Sequence, residues 1–515
     1  MVTAPRAGSI SSMTKQQRLV LLISILASFV AFLDIAIVNV ALPAIQRTLG
    51  GGLASQQWVV DAYLVTLGSL ILIAGSLSDL LGRKRILGLG LIGFGIASTL
   101  CAVAPDINFL IGARALQGVA GALLVPSSLA IIISSFSGPA QGKAIGTWTA
   151  WTGISFIFGP LVGGFLVDSA SWRWIFAINL LPICVTLWLM KSMELAGDKP
   201  KKVPIDFMGA LLCAIGLGGS VFALIEQPRW GWSSPSIYGP LAIGLVTFGL
   251  FLWREHTAKH PMLPFGIFRN HNFSVGNLAT FLVYAAITSA TFLITVFVQQ
   301  VGGYSALEAG LSLIPITLLL FILSPRVGAL SGKYGPRRFM ASGPILAGLG
   351  FLLMLGIGTH IDYWRDLLPG VILFGLGLSL TVAPLTSAIL GDVDKAQAGI
   401  ASAINNAVAR VAGLIAVAVV GAAVAAQFSS SLNSAFSALP VHSTPLANAF
   451  SEAKDKPLTI SSPKSLSPND ASTIDSALRY ASQSAFHNGI LLIVVLLFIG
   501  GGISAVGIRD PKNKD

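Results

Sequence analysis

Charged side chains stand well inside several long apolar runs of this sequence, and charge in that setting needs a physical reason. Asp34 interrupts the run 19–42, Asp61 lies early in 57–77, Arg114 lies in 108–133 and Arg410 in 399–427. An ionised group at mid-membrane costs at least about 2.5–3.5 kcal/mol, so each must face water, meet an opposite charge or carry a proton. Asp34 is eight residues from the end of its run, about 12 Å down at the helical rise, and Arg114 is about 9 Å from the same side. Asp34, Asp61 and Arg114 therefore share one half of the membrane depth. One arginine beside two carboxylates leaves a negative charge unmatched, which suits a titrating site or a cationic ligand. A structural ion pair is the plainer alternative, and spacing alone does not say whether the three meet.

The elements that must position these groups are set by composition. Of 515 residues, 54% are hydrophobic and 10% charged, and the mean hydropathy is +0.80. A soluble chain is about a quarter charged, so this one belongs in lipid. Fourteen runs are long enough to cross a bilayer core of about 30 Å: 19–42, 57–77, 86–104, 108–133, 143–167, 174–193, 207–225, 237–253, 274–298, 309–330, 338–358, 367–389, 399–427 and 487–507. The net charge of +11 is spread in short clusters between the runs, which argues against a nucleic-acid partner. Those clusters, such as Arg83–Lys84–Arg85 and Lys333, Arg337 and Arg338, fall on one side and predict cytoplasmic N- and C-termini. The first run is too long for a signal peptide and reads as a retained helix.

Cys101, Cys184 and Cys213 stand singly, so neither a disulfide framework nor a metal site is expected. His256 and His260 have ligand spacing but no evident third ligand, and solvated loop histidines are expected there. No nucleotide motif appears, nor a paired nucleophile and base at membrane depth, so the reading is not an enzyme and takes no cofactor. The one long outer loop, 428–486, is rich in Ser, Ala, Pro, Lys and Asp. That composition suits a disordered tether, but its second part reads as ordered: Ser467 could cap a helix with Pro468 in its first turn, and Ile474, Leu478, Ala481 and Ala485 recur at helical spacing, so a structured lid stands as an equal alternative.

The sequence also repeats. Gly75-Ser-Leu-Ser-Asp79-Leu-Leu-Gly82-Arg83 follows the second run, and Gly328-Ala-Leu-Ser-Gly332-Lys-Tyr-Gly335-Pro follows the tenth with the same glycine spacing. The chain accordingly divides into an N-terminal segment 1–18, a six-helix half 19–193 and a linker 194–255 carrying two extra spans. A second six-helix half, 256–508, contains the loop 428–486, and a tail covers 509–515.

Several stretches carry a family resemblance. These are Leu33–Pro43 around Asp34, Trp58–Tyr63, the Gly75–Arg85 loop, Leu110–Gly118 around Arg114, Gly153–Gly164, Trp172–Pro182, and Asn405, Asn406 and Arg410. Together they resemble the fourteen-helix drug:proton antiporter branch of the major facilitator superfamily. The resemblance implies an all-α polytopic membrane protein with the major facilitator fold, made of two six-helix pseudo-symmetric halves plus two inserted central helices. Alternating access would come from the halves rocking about a cavity near mid-membrane. Asp34, with Arg114 as its modulating charge, is the expected proton- or cation-binding acid, and Asp61 would shape substrate charge preference. Gly75, Asp79, Gly82 and Arg83 would form a gating loop. Gly153, Gly159, Pro160, Gly163 and Gly164 match the motif of antiporters rather than uptake symporters. Asn39, Tyr63, Gln117, Trp148, Trp151, Asn405 and Arg410 are the cavity candidates.

The expected function is proton-coupled export of amphipathic, cationic or aromatic small molecules from the cytoplasm, giving drug efflux. The expected partners are that substrate, protons and the lipid bilayer, around a monomer in the inner membrane, with a periplasmic adaptor added in a Gram-negative host. One alternative is a dedicated exporter of one metabolite, lipid precursor or antibiotic. Another is a sensor on the same scaffold that transports nothing.

Overall fold

The computed structural model describes residues 13–136, 138–194, 206–258, 261–391, 393, 398–437, 444–454, 456–460 and 467–510. His260, and with it the pair His256/His260, lies outside the described residues. The first six runs become α1 (Lys15–Leu49), α2 (Leu53–Leu81), α3 (Arg83–Ala102), α4 (Ile107–Ser135), α5 (Gly138–Ser169) and a span in two pieces, α6 (Trp174–Ala177) and α7 (Leu180–Lys191). The inserted pair is α8 (Phe207–Trp230) and α9 (Pro235–Thr257). There follow α10 (His271–Gln300), a split span α11 (Ala306–Ser312) and α12 (Ile314–Tyr334), α13 (Pro336–Leu353), α14 (Leu368–Gly391), α15 (Ala398–Ser437), the short α16 (Thr444–Lys454) and α17 (Pro468–Gly507).

Local chemistry explains many of the boundaries. Thr14 opens α1 through a capping box with Gln17, satisfying amides that the helix leaves orphaned. Asp106 caps α4 by accepting from the amides of Asn108 and Phe109 at 2.9 Å each. The α11–α12 break falls at Leu313, just before Pro315, which has no N–H to continue the hydrogen-bond ladder. The turns α2–α3 and α12–α13 each pivot on one glycine in the left-handed region, Gly82 at φ 94° and Gly335 at φ 84°. Only glycine adopts that conformation without strain, so the repeated loop spacing reflects a repeated turn.

Thirteen spans among the described residues are long and apolar enough to cross a bilayer. The remaining expected run, 57–77, lies within α2, a helix of 29 residues. The packing repeats as the sequence does. α1 packs on α5, α2 on α4 and α3 on α4, and correspondingly α10 packs on α15, α12 on α14 and α13 on α14. The inserted hairpin is closely packed, because a Cβ at Gly216 would meet the Phe248 backbone at 2.9 Å and one at Gly219 the Pro240 carbonyl at 2.7 Å. Its α8 leans on α2 and α15, one helix from each half.

The expected loop 428–486 needs correction. α15 continues to Ser437, α16 follows, and α17 begins at Pro468, capped by Ser467 accepting from the Asp470 amide. Leu446, Phe450, Leu458, Ile474 and Leu478 are buried, and the Phe436 and Phe450 rings stand 4.8 Å apart. These apolar side chains extend the main core of the molecule into the segment, and the helix that Ser467 and Pro468 signalled forms as expected.

Candidate functional site

Asp34 projects from the middle of α1 and is fully buried. Its Oδ2 accepts from Arg114 Nη1 at 2.5 Å, and its Oδ1 accepts from Gln117 Nε2 at 2.8 Å and Asn179 Nδ2 at 3.2 Å. Gln117 and Asn179 also donate to Ser98 Oγ, at 2.9 and 3.4 Å. Arg114 Nη1 reaches Gln117 Oε1 at 2.6 Å, and its Nε donates to the Val59 carbonyl at 2.9 Å. The guanidinium lies over the Tyr63 ring, 4.4 Å from its centroid, with Phe176 at 5.8 Å. Four helices, α1, α2, α3 and α4, and the turn joining α6 to α7, which carries Asn179, thus contribute to one charged cluster. Two opposite charges in a dry bundle stabilise each other only with good geometry and further hydrogen bonds, and both conditions are met.

The three charges of shared depth do not all meet. Asp61 stands two residues from both Val59 and Tyr63, the α2 positions that touch Arg114, so it points to the opposite side of the helix. That side packs on α8 and α15. One turn before Asp61, Gln57 donates to the Val417 carbonyl at 2.7 Å, while Trp58 donates to Glu226 at 2.9 Å. Asp61 is fully buried and neither carboxylate oxygen has a hydrogen-bond partner. Ionised, such a group bears its whole desolvation cost; a proton or an arriving cation removes it.

Arg410 lies elsewhere, at the facing surfaces of the two halves. With Asn406 it lines a narrow pocket whose other walls come from α1, α2 and α4, including Phe32, Leu67 and Gly121. The pocket has room for about one water in this arrangement. The Phe32 ring lies 5.3 Å from the guanidinium, and no described carboxylate is within ion-pair distance of it. Asn405 turns away, donating to Asn277 and Thr280 at 3.1 and 2.8 Å. Trp148 donates to Ser28 at 3.0 Å, while Trp151 is exposed. Asn39 Oδ1 has no partner.

The glycine-rich stretch of α5 forms two seams. A Cβ at Gly159 would fall 2.5 Å from Ala36 Cβ, and one at Gly163 would overlap Ile37, so this face lies flat on α1. Gly164 would collide with Leu307 of α11, and Gly310 of α11 would stand 2.5 Å from the Pro160 carbonyl. Gly153 faces open space. Four residues beyond Gly164, Asp168 accepts from the amides of Ala306 and Leu307 at 3.1 and 2.8 Å. Gln299 also donates to the Val40 carbonyl at 3.1 Å, and Gln300 to Gln46. The halves are therefore joined at the Gly50 end.

At the Gly82 end each half is tied to itself: Lys84 donates to the Met193 carbonyl at 2.6 Å and Arg337 to the Ala505 carbonyl at 2.6 Å. Gly75 and Asp79 lie on the last two turns of α2, and their side chains fall outside what the structure describes. The second copy of that loop, where glycine replaces Asp79, receives a carboxylate from the tail. Asp510 Oδ1 accepts from the Arg337 amide at 3.0 Å at the start of α13.

A family model described as the Major Facilitator Superfamily matches residues 24–418. The chain belongs to that superfamily. Among its superfamily relatives, the multidrug resistance protein Stp of Mycobacterium tuberculosis is 36% identical over 82% of this chain and 78% of that protein. The methylenomycin A resistance protein of Bacillus subtilis is 33% identical over 81% and 89%. The tetracenomycin C resistance and export protein of Streptomyces glaucescens is 29% identical over 77% and 73%. Among solved structures, a bacterial homologue of the human lysosomal transporter Spinster superposes with a TM-score of 0.61 at 16% identity, covering 97% of this chain and all of that one. A D-xylose–proton symporter gives 0.61 at 14%, again over 97% of this chain. At such identities the structural likeness establishes the fold alone.

In this facilitator, Ser98 was not foreseen as part of the charged cluster; a lone serine in an apolar run has nothing to distinguish it. Asn179 did carry a signal. It is an amide in an otherwise apolar run, and such a group inside a membrane seeks a partner.

Proposed function

We propose that this chain is a proton-coupled exporter of amphipathic small molecules, and that Asp34 and Arg114 form its proton-responsive element. The geometry of the pair carries the reading. Protonating Asp34 would leave the Arg114 guanidinium buried without its counter-charge, a state costly enough to force rearrangement of α4 against α1. Binding of a proton and movement of helices are thus tied through one 2.5 Å contact. No nucleotide motif supplies another source of energy, and relatives named for drug resistance and export favour an outward direction of transport.

In this reading 19–193 and 256–508 rock as units, and the basic loops at Gly82 and Gly335 face the cytoplasm. The joined Gly50 end is then the outer side. Gly159, Gly163 and Gly164 hold the outer seam, while Asp79 and Arg83 act at cytoplasmic closure. Export of a single antibiotic or metabolite is a narrower form of the same activity, favoured by the single compounds that name two of the relatives.

A panel of amphipathic probes in proteoliposomes bearing an imposed proton gradient tests both forms. The exporter reading expects uphill movement of several probes that ceases when the gradient is collapsed. Movement of one compound alone selects the narrower form, and movement indifferent to the gradient rejects proton coupling.

A further inference from the structure

At mid-depth, where the halves face each other, the pocket walls are apolar apart from the amide of Asn406 and one cation. Arg410 enters from α15 and meets the Phe32 ring at 5.3 Å, with Ile35, Leu67, Ile71 and Val125 around it. Neither of the acids nearest in sequence depth is placed to pair with it. Asp34 faces the interior of the first half and is saturated by Arg114, Gln117 and Asn179. Asp61 lies two turns along α2 from Gly68, whose Cβ would stand 4.0 Å from Arg410 Cβ, and that offset is about 10 Å at the helical rise. A guanidinium held in a membrane interior without a counter-ion is costly unless something that visits the site supplies the charge.

A second polar group points to the same place. The Tyr63 hydroxyl is buried with no hydrogen-bond partner, and a Cβ at the pocket residue Gly121 would stand 2.9 Å from it. A planar five-donor fork beside a free hydroxyl matches the oxygens of a carboxylate, sulfonate or phosphate. A cationic ligand would instead meet repulsion that low-dielectric surroundings screen poorly.

We propose that Arg410 is the anion-recognising residue of the central pocket, which, widened as the halves part, takes an amphipathic substrate with a carboxylate, sulfonate or phosphate head and an apolar body. This deepens the exporter reading and rests on it. It departs from the cationic substrate expected of the sequence, because Asp61, the acid on which that expectation rested, stands about 10 Å along α2 from the level of the pocket's cation.

The test uses three probes with one aromatic body: 9-anthracenecarboxylate, 9-anthracenylmethylammonium and the neutral 9-anthracenemethanol. Binding to the purified full chain in zwitterionic nanodiscs is read by fluorescence, with empty nanodiscs subtracted. The carboxylate is expected to bind at least about tenfold tighter than the ammonium, as one charge-assisted bidentate contact supplies. Arg410→Gln should bring the two within about threefold, while Arg410→Lys retains part of the preference. Ile35→Trp, which fills the pocket but leaves Arg410 in place, should weaken carboxylate binding too, and it locates the site if Arg410→Gln does not assemble. Wild-type protein that binds the ammonium equally or better overturns the proposal, as does a carboxylate preference that survives Arg410→Gln or Ile35→Trp. Gradient-driven flux of all three probes is measured separately in liposomes. Its absence counts against the exporter reading, and the binding ratio decides the anion assignment in either case.

Discussion

Removing one member of a buried ion pair leaves the other with its desolvation cost unmet, commonly about 3–5 kcal/mol. In Asp34→Asn, Arg114 keeps Val59 and Gln117 but loses the carboxylate 2.5 Å away. Purified Asp34→Asn should therefore melt below wild type, and Asp34→Asn/Arg114→Gln should recover part of the loss because no charge is then stranded. Thermal unfolding in one detergent checks this, and a double variant no more stable than the single one would contradict it. How much of this cluster the sequence disclosed follows from what helical rise measures. Depth placed Asp34, Asp61 and Arg114 at similar height, and the pairing of Asp34 with Arg114 was within reach of that argument. Depth says nothing of rotation about the helix axis without knowing which neighbour packs where, and rotation is what separates Asp61 from the cluster.

Among the elements, α5 and α11 form the seam whose parting would expose the Gly50 end. Gly164 lies against Leu307 and Gly310 against the Pro160 carbonyl, with Asp168 closing two amides at the start of α11. Gly164→Leu has no room on the joined arrangement, and Asp168→Ala gives up both amide contacts, each worth about 1 kcal/mol or somewhat more for a charged acceptor. Both variants should raise the labelling rate of a cysteine placed at Ala309, which is buried on α11 beside Gly310, with Gly164→Leu the stronger, as read by a membrane-impermeant maleimide. Unchanged labelling in both would mean that the seam does not control that end. The glycine pattern announced close packing in the sequence. That one seam lies within a half and the other between halves could not be told before the partner helices were known.

The cap formed by the end of α15, α16 and the start of α17 was half legible in the sequence: the start of α17 at Ser467 was signalled, while α16 and the extension of α15 were not. Phe450 is buried beside Phe436. Replacing it by Ala should cost about 3–5 kcal/mol of local stability and speed hydrogen exchange across 444–486 while leaving α1–α5 unchanged. Exchange that is already fast in wild type would argue against a packed cap. Its apolar positions do recur at helical spacing, as at Leu446, Ala449, Phe450 and Ala453. Diluted among polar residues, they were outweighed by composition.

On the scale of the whole molecule, the repeat in sequence, the repeat in packing and the paired left-handed turns at Gly82 and Gly335 describe two related bodies. These bodies are joined at the Gly50 end and tied within themselves at the other. Apolar run lengths made this architecture legible, since a bilayer imposes one length on every span. The runs mark apolar stretches rather than helices, however, and α1 extends from Lys15 to Leu49 because its helical hydrogen bonds continue through the interfaces. The central claim joins this molecule to the charged cluster inside its first half: a proton taken up at Asp34 is exchanged for a substrate crossing between the halves. Its most direct test is to record lumenal pH and a transported fluorescent amphiphile together in proteoliposomes, for wild type and for folded Asp34→Asn. Substrate-triggered proton movement in wild type, absent in Asp34→Asn, is the predicted result. Proton movement of equal size in Asp34→Asn, or substrate flux with none in wild type, would contradict it.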